Sequence, residues 1–339
     1  MGARGLVVTG VLATVIGVVW QSPGAAQTTA SGRAANPGTT WTPPRTPDGQ
    51  FDLQGVWDFS TITPLERPVA LGDKEFLTAE EARVFEEAEN RRLNRDLIDP
   101  KKGGVNYPPG GVVPYNEFWY ERGDTVIETR RTSLIVDPVD GRLPPFTPEA
   151  QRRVDAQAAA SREDQLGRAR ADSWDDRPLV ERCIVGLNEG PPMIPGAYNN
   201  HVQIFQTAGS VVLLTEMIHS ARVVPLDGRT HLAPGLRQWR GDSKGRWEGR
   251  TLVVETRNFR GQTNVRGSSA NMHLVERLTR VDADTLLYEF TVTDPTTWTR
   301  PWMAAIPMRR VPDPIYEYAC HEDNYGLRGV LSGARAQEN

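Results

Sequence analysis

The sequence predicts a mainly β protein, an antiparallel meander that closes into a barrel or packs as a sandwich, with two external helices. Three observations carry the prediction. Hydrophobic runs between His201 and Tyr318 are short, about four to eight residues, and rich in β-branched and aliphatic side chains. Each run is closed by a turn containing Gly or Asp, the pattern of hairpins rather than of βαβ units. A weak internal echo pairs 123–129 (GDTVIET) with 249–256 (GRTLVVET), and 136–142 (VDPVDGR) with 223–229 (VVPLDGR). We read it as recurrent turn chemistry in one continuous sheet system, not as a duplication.

Taken in order, FDLQGVWDFS (51–60) reads as a first strand. Thr78 and Glu81 form a capping box at the head of a helix over 79–97, where Ala82, Val84, Phe85, Ala88 and Leu93 make a partial apolar stripe. The segment 115–146 carries two or three further strands. Thr147-Pro148-Glu149 supplies an N-cap, a first-turn proline and a first-turn acid for a second helix over 148–165. Both helices are highly charged, which places them outside the β-structure, over an edge or an end. IFQT (204–207), VVLLTEM (211–217), ARVVPL (221–226), TLVVET (251–256), HLVERLTRV (273–281) and TLLYEFTV (285–292) follow as strands. Eight to ten antiparallel strands must close or double up to hide their edges.

Arg4, the apolar run 6–20 and the small residues Gly24-Ala25-Ala26 have the order of a signal peptide, so residues 1–26 are expected to be removed and the protein to be periplasmic or secreted. No second segment is long enough to span a membrane. Residues 27–50, rich in Pro, Gly, Ser and Thr, read as a flexible leader, followed by a single β-rich domain over 51–335. The formal net charge of −4, spread along the chain, argues against a nucleic-acid partner. Nothing in the composition sets the oligomeric state.

Two cysteines, Cys183 and Cys320, are expected to pair in an oxidising compartment; a nucleophilic Cys320 beside His321 is the alternative. There is no G-x-S-x-G elbow, Walker loop, G-x-G-x-x-G after a strand, or C-x-x-C. All five histidines, His201, His219, His231, His273 and His321, fall in the last 139 residues. Glu216 and His219 lie on a predicted strand at a spacing that turns them to opposite faces unless a bulge intervenes, and Cys320-His321-Glu322 matches no ligand spacing. Neither a metal nor a cofactor is therefore expected. His219, His321, Glu216, Arg222 and Glu322 are the candidates for acid/base or charge-stabilising roles. Asn199, Asn200, Trp298, Trp302, Asn324 and Tyr325 are the candidates for ligand binding, with Trp298 and Trp302 as the rim of an aromatic-lined cavity or, alternatively, as core.

Gly55-Val56-Trp57 resembles the G-x-W at the start of lipocalin-like barrels, where the Trp plugs the closed end; a buried structural Trp is the alternative. The blocks TPDGQFDLQGVW (46–57), TPLERP (63–68), MIHSARVVPLDGRTHL (217–232), GRWEGRTLVVETRNF (245–259), LVERLTRVDADTLLYEFTVTDPTTWTRPW (274–302) and YEYACHEDNYGLRGVLSGAR (316–335) resemble those of a family of exported bacterial proteins. That resemblance covers most of the chain and implies export. It assigns no catalytic residue. The expectation is a lipocalin-like barrel that binds a small amphipathic or aromatic molecule, with a hydrolase or lyase built on the His/Glu/Arg cluster as the alternative and a structural envelope protein as the third reading.

Overall fold

Ten strands and three α-helices form in the computed structural model, which describes residues 41–104, 109–110, 115–165, 170–262, 265–322 and 324–337. The strands are β1 (Gly55–Asp58), β2 (Ile135–Asp137), β3 (His201–Gln206), β4 (Ser210–Thr215), β5 (Ser220–Pro225), β6 (Asp242–Glu248), β7 (Thr251–Arg257), β8 (His273–Arg280), β9 (Thr285–Thr293) and β10 (Trp302–Val311). The helices are α1 (Ala79–Leu93), α2 (Pro148–Gln165) and α3 (Tyr325–Gln337). The expected signal peptide and residues 27–40 of the expected leader lie outside the described residues.

Nine strands follow the order β5-β4-β3-β1-β10-β9-β8-β7-β6, every pairing antiparallel. The two ends of that order lie side by side. A Cβ on Gly245 of β6 would come within 2.8 Å of Val224 and 2.7 Å of Leu226, so the absence of a side chain lets β6 approach β5. The sheet is therefore a nearly closed nine-stranded barrel, the closed solution to the edge problem, with its seam between β5 and β6.

Side chains alternate with period two, so one face of every strand fills the lumen. Leu286, Tyr288, Phe290 and Val292 point inward from β9, and Trp302, Ala304, Ile306 and Met308 from β10. Trp57 of β1 is fully buried, its indole N–H donating to the Leu53 carbonyl at 2.9 Å and its ring lying 5.6 Å from the Arg280 guanidinium. Phe290, Trp298 and Trp302 pack edge to face at 5.5–5.6 Å within the same core cluster, joined by Met193.

The segment 115–146 contributes only β2 among its described residues. The rest runs in extended contact with 60–77, through Ile62 N–H to the Thr125 carbonyl, Leu77 N–H to Arg130 and Leu134 N–H to Pro64. The free side of β10 leaves room for little more: β2 pairs with Met303 and Ala304, and β1 with Arg309–Val311. Pro307, which has no N–H to give, falls in the gap between them.

The capping box of α1 forms as its sequence dictates, but the helix stops at Leu93 because Asn94 turns extended and caps the next turn instead. Its Ala82 packs with Ile62, Leu77 and Val126 in a second, smaller cluster. Thr147 caps α2, accepting from the Ala150 N–H at 3.2 Å, and Val154 of α2 lies against Gly267. α3 was not expected. Gly326, Gly329 and Gly333 lower its helix propensity, and it is held by an Asn324 N-cap that accepts from the Leu327 N–H at 3.2 Å.

Residues 41–50, expected in the leader, pack on the barrel: Arg45 bridges Phe51, and Gln50 donates to the Ala208 carbonyl at 3.1 Å. Cys183 and Cys320 form the expected disulfide, with Cα atoms 5.7 Å apart. A disulfide fits an extracellular or periplasmic protein. Among the described residues no helix is long and apolar enough to cross a membrane.

Candidate functional site

The sequence candidates fall at or beside three gatherings of polar side chains: inside the lumen, at one end of the barrel, and in a groove along α3. In the lumen, Arg222 of β5 donates to both oxygens of Glu276 on β8 at 2.5 and 2.8 Å. The Tyr288 hydroxyl of β9 donates to the same carboxylate at 2.7 Å and accepts from the Met193 N–H at 3.1 Å. Glu276 and Tyr288 are completely buried. Burial opposes the charge on Arg222, but the facing carboxylate outweighs it and holds the guanidinium pKa above its ordinary value. Burial, then the Glu276 charge, push the Tyr288 phenol well up, so it stays a neutral donor. This network crosses the barrel, ties the loop carrying Met193 to the wall, and offers nothing to a solute outside. Arg222 is committed to it.

At the end of the barrel where β1 and β4 finish and β3 begins, His201 Nδ1 lies 2.8 Å from Glu216 Oε2. The hairpin register places them there: Val202 pairs with Thr215, and the Glu216 N–H donates to the His201 carbonyl at 3.0 Å. Glu216 is buried, and its hydrogen bond raises the His201 pKa, with burial opposing and Asp58 and Glu121 adding to the rise. The turn that follows is strained, with Ile218 at φ 61° and His219 at φ 50°. It sends Glu216 inward and leaves His219 exposed. Met217 and Ile218 seat against Gly186, where any Cβ would strike Met217 at 2.3 Å. Asn200, fully buried, accepts from the Asn188 side chain (2.9 Å) and the Gly196 N–H (2.7 Å), and donates to the Glu121 and Gly196 carbonyls (both 3.1 Å). It is a brace for the 186–200 loop.

The third place is an open groove of about 480 Å³ between α3 and the segment carrying Arg182. Arg182, Arg328, Arg335 and His321 line it together with Leu327 and Leu331, and none of the described lining residues is acidic. Asn324, which lines it, donates both to the Glu181 carbonyl (2.7 Å) and toward Sγ of Cys183 in the disulfide (3.4 Å). Arg182 stacks 4.4 Å over the exposed Trp174 ring and pairs with Asp175 at 3.4 Å. Arg328 has no hydrogen-bond or ion-pair partner among the described residues.

The candidates from sequence are thus distributed over the molecule. His321 and Asn324 line the groove, with Tyr325 and Glu322 exposed beside them. Glu216 is at the barrel end, Arg222 in the lumen, and His219 faces solvent. Asn199 takes a left-handed backbone (φ 54°) at the start of the strand turn, where its carbonyl accepts from Asn188. Trp298 and Trp302 are core rather than rim. The pairing of His201 with Glu216 was within reach of the sequence, since a hairpin turning at Ala208-Gly209 sets those two positions opposite each other; Glu121 carried no such signal. No protein-family model matches the chain, and no curated protein matches it significantly.

Proposed function

We propose that this is a periplasmic or secreted barrel protein that binds a small amphipathic anion in the groove along α3. The observation that carries the reading is Arg328, without a partner among the described residues, beside His321, Arg182 and Arg335 in a groove whose other walls include Leu327 and Leu331. Cationic donors recognise a carboxylate or sulfonate head, and the leucines accept an apolar tail. The lumen, filled by Trp57, Tyr288, Phe290 and Trp302, is not the binding cavity. The hydrolase or lyase reading would need an imidazole–carboxylate pair in reach of the ligand, and the pairs His201–Glu216, His231–Asp242 and His273–Glu255 do not line the groove.

Decanoate titrated into the protein tests this. Trp174, stacked on Arg182 at the margin of the groove, is the reporter, and Trp174→Phe should abolish the fluorescence change. Saturable binding should weaken about ten- to a hundredfold in Arg328→Ala, the cost of losing a charged hydrogen bond of roughly 1.5–3 kcal/mol. Equal binding by wild type, Arg328→Ala and His321→Ala would overturn the assignment.

A further inference from the structure

We propose that Glu121, His201 and Glu216 form a site for a divalent transition-metal ion of the zinc or manganese class, at the end of the barrel where β3 begins. One donor atom from each residue lies within 4.8 Å of the others. The three come from separate parts of the fold: His201 opens β3, Glu216 follows β4, and Glu121 lies far upstream in the segment that wraps the barrel. Because no two of them form a recognised ligand spacing, the sequence showed no metal signature.

Two features make this more than a chance meeting of acids. The backbone of Glu121 is pinned on both sides, its N–H donating to the Ala197 carbonyl at 3.0 Å and its own carbonyl accepting from the buried Asn200 amide at 3.1 Å. Its carboxylate has no hydrogen-bond or ion-pair partner among the described residues and lies within 4.8 Å of a second carboxylate. Asp58, which pairs with His201 across β1 and β3, is already committed to Ser60 and Arg309 and stands outside the donor set.

One imidazole nitrogen and two carboxylate oxygens suit zinc or manganese, whereas calcium and magnesium favour all-oxygen cages. A tetrahedral ion with bonds of about 2.1 Å keeps its donors about 3.4 Å apart, so an ion held by Nδ1 would open the 2.8 Å His201–Glu216 hydrogen bond, and the exposed Glu121 carboxylate would adjust to meet it. Three protein donors leave the remaining coordination positions to solvent, the arrangement of an ion that can take up a further ligand.

The test is zinc titration of the full chain, freed of metal by chelation, in competition with a chromophoric chelator, and cobalt substitution read by visible absorption. Wild type should bind one equivalent and give a cobalt spectrum. Glu121→Gln, an exposed substitution that leaves the core untouched, and His201→Asn should each weaken zinc at least tenfold and abolish the spectrum. His231→Asn, at the separate His231–Asp242 pair, should bind like wild type. No stoichiometric binding by wild type, or undiminished binding in both Glu121→Gln and His201→Asn, overturns the proposal.

Discussion

Replacing Glu276 by alanine removes the carboxylate that accepts two bonds from Arg222 and one from Tyr288, and leaves a guanidinium unpaired inside a packed barrel. Breaking one partner of a buried pair costs about 3–5 kcal/mol, a large share of a typical total of about 5–15. With a urea slope of about 3 kcal/mol per molar, the midpoint of unfolding should fall by about 1–1.7 M. Tyr288→Phe should cost less, about 1–3 kcal/mol, because it orphans only the Met193 N–H, while Glu276 Oε1 keeps its bond from Arg222. The joint replacement Arg222→Met with Glu276→Leu removes both charges and should recover most of the loss. Tryptophan fluorescence in urea reads all four proteins, since Trp57, Trp298 and Trp302 are buried in the same core. The reasoning fails if the double replacement is as unstable as Glu276→Ala, because the cost would then lie in the lost hydrogen bonds, the Tyr288 hydroxyl's included, and not in the stranded charge.

Two further predictions concern the seam and a helix end. Gly245→Val should destabilise by about 1–3 kcal/mol by overpacking the β5–β6 contact, whereas Gly209→Ala, with nothing within 4 Å of its Cβ, should change stability little; equal effects would refute the closed seam. The hydrogen bonds from Lys74 and Thr78 lower the Glu81 pKa from 4.5 to about 2. A depressed carboxyl stabilises the fold above its unfolded pKa, so this contribution to the start of α1 should be lost as pH falls from about 4.5 through 2. Carboxyl NMR titration checks it, with Lys74→Ala moving the midpoint back up; an ordinary midpoint in wild type would count against the cap.

How much of this was legible in the sequence follows from how local each signal is. The strands from β3 to β9 rest on period-two patterning and adjacent turn residues, and most could be read directly. β10 was obscured by Pro307, which is tolerated because it sits where neither β1 nor β2 needs its N–H. Arg222 and Glu276 each share a strand face with aliphatic residues, Val224 in one case and Leu274 and Leu278 in the other, which marks both as inward-pointing charges. Nothing local said that they would meet. Trp298 and Trp302 carry no sequence mark that separates rim from core, and α3 was hidden by its glycines. The gathering of Glu121 with His201 depends on the Asn200 brace, a tertiary contact that spacing cannot express.

The position of β1 governs when the barrel can be completed. Val56 pairs with Gln203 on one side and with Val311 on the other, so the first strand of the domain waits for β3 to gain one neighbour and for β10 to gain the second. Pairings across such sequence distances carry a high loop-closure cost and make folding slow. A chain ending before β10 would leave both β1 and β9 with open edges, ready to pair with another molecule. The partner cysteine of Cys183 lies beyond β10, at Cys320, so a closed bridge certifies that the last strand has been made.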